Sequence, residues 1–162
     1  MTIRQANYND IPAISKLATE IWWPTYTDVI PDEQIEFMLG DMYSEEALNQ
    51  QMAGGIIFLM VEREIMPVAF AAYSLTEPEN QVYKLQKLYV LPSEQGKGTG
   101  KMLIAKVANL ATALGGKILE LNVNRKNPAF DFYKKLGFEI YETVDIPYQH
   151  FVLNDYVMRK TL

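Results

Sequence analysis

Apolar positions along the chain repeat at two different spacings, and each change of spacing marks a change of element. Residues 2–6 (TIRQA) read as a short strand. Ile11, Ile14, Leu17, Ala18 and Ile21 then recur at helical intervals, with Asp10 offering an N-cap oxygen and Pro12 tolerated in the first turn. Pro31 predicts the opening of a second helix, with Asp32 and Glu33 near its positive end. Ser44 predicts the cap of a third, with Glu45 and Glu46 in its first turn. Gly54-Gly55 interrupts the helical spacing. GIIFLMVE, PVAFAAYSL and VYKLQKLYVLP follow as strands, separated by the turn segments EREIM and TEPEN and ended at Pro92.

The second half mixes strands with helices. QGKGTG leads into KMLIAKVANLATAL, where Leu103, Ile104, Val107, Leu110, Ala111 and Leu114 share one helical face, and Gly115-Gly116 stops that helix. In ILELNV, Leu119, Leu121 and Val123 fall on one face and Glu120 and Asn122 on the other. Asn127 suits an N-cap and Pro128 a first helical position; Ala129, Phe132, Tyr133 and Leu136 line one face of a short helix that Gly137 ends. FEIYETV and FVLNDYVMRK close the chain as strands. The sum is roughly seven strands and four or five helices, an α+β or mixed α/β sheet, with no internal repeat or linker.

Composition narrows the chemistry. A length of 162 residues, 49% of them hydrophobic, suits a single domain with its own core. No apolar run approaches the roughly eighteen residues of a membrane span, so no membrane partner is expected. MTIRQANYNDIP lacks a basic-then-apolar signal pattern and cysteine is absent, which predicts a cytoplasmic protein. The missing cysteines exclude disulfides, thiolate metal ligands and a cysteine-acyl intermediate. His150 is the one histidine, so no metal site is expected. A net charge of −5 argues against nucleic-acid binding. It suits a cationic acceptor, or serves only solubility.

The strand–QGKGTG–helix unit carries the strongest chemical signal. Gly96, Gly98 and Gly100 let the backbone take conformations closed to other residues and let a ligand reach the main chain. Amide N–H groups at a helix start form an anion site suited to phosphates, and Lys97 and Lys101 add charge at its mouth. The spacing is GxGxG, so neither the Walker pattern nor the dinucleotide GxGxxG is met. Without a ligand, the same stretch reads as a tight structural turn.

LYVLPSEQGKGTGKMLI, residues 88–104, resembles the acyl-CoA signature of the GNAT superfamily of N-acetyltransferases: a strand, then Gln/Arg-x-x-Gly-x-Gly/Ala, then a helix. Gln95, Gly98 and Gly100 match it. NPAFDFYKKLGFE is similar to that family's later helix, through Ala129, Phe132, Tyr133, Gly137 and Phe138. A weaker likeness joins Trp22 to Tyr26, and Met158 to Leu162, to a subgroup acting on polyamines and related amines. The resemblance implies one acetyltransferase domain over residues 1–162, with helices flanking a mostly antiparallel seven-stranded sheet splayed at the acyl-CoA site. It implies acetyl-CoA as cosubstrate, no metal, and direct transfer to a primary amine of a polyamine-like small molecule or a peptide. The alternatives are a protein N-terminal or lysine acetyltransferase and a non-catalytic acyl-CoA-binding module. Homodimers are common in that family, and the oligomeric state stays open.

The same resemblance distributes roles. Main-chain amides of Gln95, Gly96, Lys97, Gly98, Thr99 and Gly100 would hold the diphosphate, with Lys101 beside them, and main-chain groups of Leu88, Tyr89 and Val90 the thioester carbonyl. Tyr133 stands at the general-acid position that protonates the leaving thiolate; by helical spacing alone it reads as core. Asn127 either touches the pantetheine arm or only caps its helix. The family often places an acid on the strand before the loop, but Gln86 and Lys87 stand here. That leaves Glu20, Glu33, Glu77 and Glu120 as unranked base candidates, and His150, Trp22, Trp23 and Tyr26 as candidate walls of the acceptor cleft.

Overall fold

The computed structural model describes residues 1–162. In chain order the elements are β1 (Thr2–Gln5), α1 (Ile11–Tyr26), α2 (Asp32–Tyr43), α3 (Glu45–Ala53), β2 (Ile57–Arg63), β3 (Met66–Glu77), β4 (Val82–Val90), α4 (Thr99–Ala113), β5 (Ile118–Asn124), α5 (Ala129–Lys135), β6 (Glu139–Tyr148) and β7 (Phe151–Thr161). The strands form one seven-stranded sheet in the order β1-β2-β3-β4-β5-β7-β6. The chain divides into two compact units, Met1–Ser74 with Lys87–Lys106, and Leu75–Gln86 with Val107–Leu162. It passes between them inside β4 and inside α4, so neither unit is an uninterrupted piece of sequence.

In the first unit β1 pairs antiparallel with β2, from Thr2↔Glu62 to Gln5↔Leu59, and β2 antiparallel with β3, from Ile57↔Tyr73 to Arg63↔Met66. The apolar spacing of α1 is explained by burial: Ile11, Ile14, Leu17, Ala18, Ile21 and Trp22 all face the core. Asp10 does not cap this helix, against the expectation from sequence. Asn7 Oδ1 instead accepts from Asn9 N at 2.8 Å, and the Asp10 carboxylate accepts from Asn7 N and from the Arg4 guanidinium. Asp10 is drawn away because an arginine makes a stronger, charge-assisted partner than a helix amide. Ser44 does cap α3, accepting from Ala47 N at 3.2 Å.

In the second unit β4 runs parallel to β5, from Val82↔Ile118 to Lys84↔Glu120, and β7 lies antiparallel to both β5 and β6. Leu119, Leu121 and Val123 are buried, as their alternation predicts. Gly115, at φ +91°, and Gly116, whose N–H bonds the Ala111 carbonyl at 2.8 Å, turn the chain out of α4. Leu114 was expected on the buried face but is 60% exposed, because α4 ends at Ala113 and Leu114 lies in the turn.

Candidate active site

The glycine loop belongs to the first unit. Its first α-helical bond runs from Met102 N to the Gly98 carbonyl at 3.0 Å. The amides of Thr99, Gly100 and Lys101 therefore open α4 without the carbonyl that a full turn would supply. Gly96 and Gly98 stand at φ +80° and +81°, a region that L side chains rarely adopt, and a Cβ at either would meet nothing within 4 Å. A loop with open space over two glycines, followed by helix-start amides that have no intrahelical carbonyl, has the donor set that a diphosphate needs. The residues present fit that group, and Gln95 through Gly98 are exposed.

One carboxylate organises the loop from within. Glu94, 2% exposed, is gripped by Arg63 through Nε at 3.0 and 3.2 Å and through Nη2 at 2.5 Å. Thr99 Oγ1 donates to Glu94 Oε1 at 2.9 Å, and Lys97 Nζ lies 3.6 Å from Oε2. The Arg63 bonds hold the Glu94 carboxyl down to about 2. Lys97, expected only at the mouth of the anion site, thus also pairs inside the loop. Lys101 is exposed. Sequence reading missed Arg63 and Glu94, because an arginine on β2 and a glutamate in a loop carry no signal that they meet.

Leu88, Tyr89 and Val90 end β4 in the same unit, each half-buried. Tyr89 joins an aromatic group with Trp22, Tyr26, Tyr43 and Phe70; ring centres lie 5.6 Å apart for Trp22–Tyr89 and 5.7 Å for Phe70–Tyr89. The Tyr26 and Tyr89 hydroxyls are 3.1 Å apart. Trp22 and Tyr26 are in ring contact, with Trp22 buried and Tyr26 and Trp23 half-buried, whereas Glu20 and Glu33 are exposed on α1 and α2. Lys87 is buried against this group, its Nζ 4.5 Å from the centre of the Tyr43 ring. Burial pushes its pKa down to about 8.

Tyr133 and Asn127 belong to the second unit. Tyr133 is the buried residue of α5, 8% exposed, with its ring 5.4 Å from Phe132 and 5.9 Å from Phe138. Asn127 Oδ1 accepts from Ala129 N at 2.9 Å, so it caps α5. Two base candidates are engaged elsewhere: Arg159 binds Glu77 Oε2 at 2.6 Å and Glu120 Oε1 at 2.8 Å. His150 stands exposed in the β6–β7 turn, against Phe151. Asp155 on β7 was not singled out from sequence. Burial raises its carboxyl, opposed by the Asn122 amide at 3.5 Å and by the charges of Lys84 and Arg125. No group of three or more His, Cys, Asp or Glu side chains is placed to hold a metal ion, and no helix is long and apolar enough to cross a membrane.

The family model described as an acetyltransferase (GNAT) domain matches residues 26–157. The spermidine N(1)-acetyltransferase of Thermoplasma acidophilum is 26% identical over 147 residues, 87% of this chain and 89% of that protein. An uncharacterised N-acetyltransferase of Bacillus subtilis is 25% identical over 136 residues, 83% of this chain and 78% of the relative. Among solved structures, the PaiA N-acetyltransferase of Thermoplasma acidophilum, in complex with coenzyme A, superposes with a TM-score of 0.85 at 26% identity, covering 99% of this chain and 98% of that one. With its family model spanning both the glycine loop and the tyrosine helix, the chain belongs to the GNAT acetyltransferases, enzymes that use acetyl-CoA.

Proposed function

We propose that this single-domain enzyme, working in the cytoplasm, acetylates a primary amine of a polyamine-like small molecule or of a peptide, by direct attack in a ternary complex. The Gln95–Gly100 loop carries this reading: open glycines at positive φ followed by a helix start. Acetyl-CoA supplies an acetyl group activated as a thioester. The amides of Gln95 to Gly100 bind its diphosphate, with the α4 dipole adding to the attraction. Main-chain groups of Leu88, Tyr89 and Val90 orient the acetyl carbonyl and stabilise negative charge developing on it. The Tyr133 hydroxyl donates the proton that the departing thiolate takes up, and the proton lost by the attacking amine returns to solvent and restores the hydroxyl. Asn127 keeps α5 in place through its cap bond.

The polyamine reading is supported by the Thermoplasma relative, whose name gives spermidine as its substrate. Amino-terminal or lysine acetylation of proteins is the competing reading. Isothermal titration with acetyl-CoA should show saturable binding in the micromolar range, and CoA release against a panel of polyamines, amino acids and peptides should single out one acceptor class. No binding at hundreds of micromolar would overturn the assignment of the loop.

A further inference from the structure

Lys87 is a cation without a counter-charge. Alternation along β4 puts it on the face that also carries Leu85 and Tyr89, and it is 5% exposed. It makes no ion pair, and burial is the one influence on its titration. Its ammonium rests on the Tyr43 ring, itself 2% exposed. Trp22 packs edge-on against the same Tyr43 ring, with ring centres 5.4 Å apart, and its Nε1 is buried with no acceptor. Two buried residues with unpaired donors, one of them charged, thus pack against one aromatic ring. A cation–π contact offsets part of the desolvation of an ammonium but satisfies none of its N–H groups. An unpaired buried indole N–H is likewise rare. Tyr26 and Tyr89, half-buried, carry the same aromatic group outward to solvent.

An anionic oxygen is the kind of group that would satisfy both donors. Lys87 directly precedes Leu88–Val90, the segment assigned above to the acetyl carbonyl, and the acetyl thioester is uncharged. An anion reaching this point would therefore come from the acceptor. We propose that the acceptor carries a carboxylate on the same molecule as its reactive amine, with Lys87 pairing with that carboxylate and Trp22 Nε1 donating to it. This inference rests on the acetyltransferase reading alone and narrows the acceptor away from the polyamine-like amines named above, to amino acids and related amino-carboxylates. A wholly cationic polyamine would instead meet like-charge repulsion at Lys87.

Matched pairs that differ by one carboxylate test it: lysine against cadaverine, ornithine against putrescine, tyrosine against tyramine. In the unaltered enzyme kcat/KM should favour the carboxylated member of at least one pair by about ten-fold or more, the range for a hydrogen bond to a charged group. Lys87→Met should cut that ratio to within about three-fold, and Lys87→Arg should keep most of it. Equal or better turnover of the decarboxylated members across all pairs would overturn the proposal, as would an unchanged ratio in a folded Lys87→Met enzyme. Should Lys87→Met not fold, the ratios for the unaltered enzyme and for Lys87→Arg still decide. Calorimetry with acetyl-CoA separates the two readings: absent binding removes the acetyltransferase assignment itself, while binding with turnover of carboxylate-free amines removes only this one.

Discussion

The Thr99 hydroxyl donates a 2.9 Å hydrogen bond to Glu94 Oε1, tying the first residue of α4 back across the glycine loop. The same carboxylate is held by Arg63 and approached by Lys97. A bare negative charge here would repel a diphosphate. With Arg63 and Lys97 beside it, Glu94 becomes a neutralised post around which Gln95 to Gly98 turn.

Removing that post should cost cosubstrate affinity more than chemistry. Glu94→Ala is expected to raise KM for acetyl-CoA roughly five- to ten-fold, about 1–1.4 kcal/mol of binding, because the loop loses its internal anchor while Arg63 and Lys97 remain to attract the diphosphate. KM for the acceptor should stay within about two-fold. Steady-state kinetics with each substrate varied in turn checks this, and an unchanged acetyl-CoA KM would reduce Glu94 to a stability residue.

Acid should unfold the protein partly through the same group. The Arg63 hydrogen bonds lower the Glu94 carboxyl from its ordinary 4.5 to about 2 in the folded chain. A depressed carboxylate stabilises the fold above its unfolded value, and that contribution fades as pH drops from 4.5 toward 2. Urea denaturation of the unaltered chain should show this loss across the window, and Glu94→Gln should lack it.

Asp155 should behave in the opposite sense. Burial raises its carboxyl in the folded chain, so ionisation disfavours the fold as pH rises through that raised value. Asp155→Asn should therefore be more stable than the unaltered chain at pH 8, and the difference should shrink in acid. Denaturant midpoints at both pH values test the sign; a variant less stable at pH 8 would show that the charges of Lys84 and Arg125 outweigh burial.

Two glycines should separate ligand effects from folding effects. Gly98→Ala meets no protein atom, so its cost is the left-handed backbone alone, about 1–2 kcal/mol, together with a methyl in the space where the diphosphate approaches. Acetyl-CoA affinity should fall at least about ten-fold by calorimetry. At Gly116 a Cβ would stand 2.8 Å from both the Ala111 carbonyl oxygen and Tyr83 Cδ2. Gly116→Ala should lower the melting temperature yet leave the affinity of the folded protein nearly intact.

Tyr133→Phe keeps the ring between Phe132 and Phe138 and removes one hydroxyl. Loss of a general acid lowers turnover by about 10²–10⁴-fold. CoA release should fall on that scale while acetyl-CoA affinity changes little. A fully active variant would make Tyr133 a packing residue of α5.

Local patterns along the chain determined much of this protein. Apolar spacing located α1, α4 and β5, and glycines marked where α4 and α5 stop. The Gln95–Gly100 loop was legible because positive φ, a helix start and bare amides all lie within one short stretch of backbone. What the fold alone decided are meetings between distant residues. Arg63 reaches Glu94 because β2 and the loop after β4 belong to one unit. Asp10 leaves its helix for Arg4, and Arg159 claims both Glu77 and Glu120. Lys87 reads in sequence as one more lysine on a strand, and only packing turns it into a buried cation on Tyr43. The physical reason is range: dihedral preference and amphipathic period act between near neighbours, whereas burial and charge pairing depend on which surfaces the finished fold closes together.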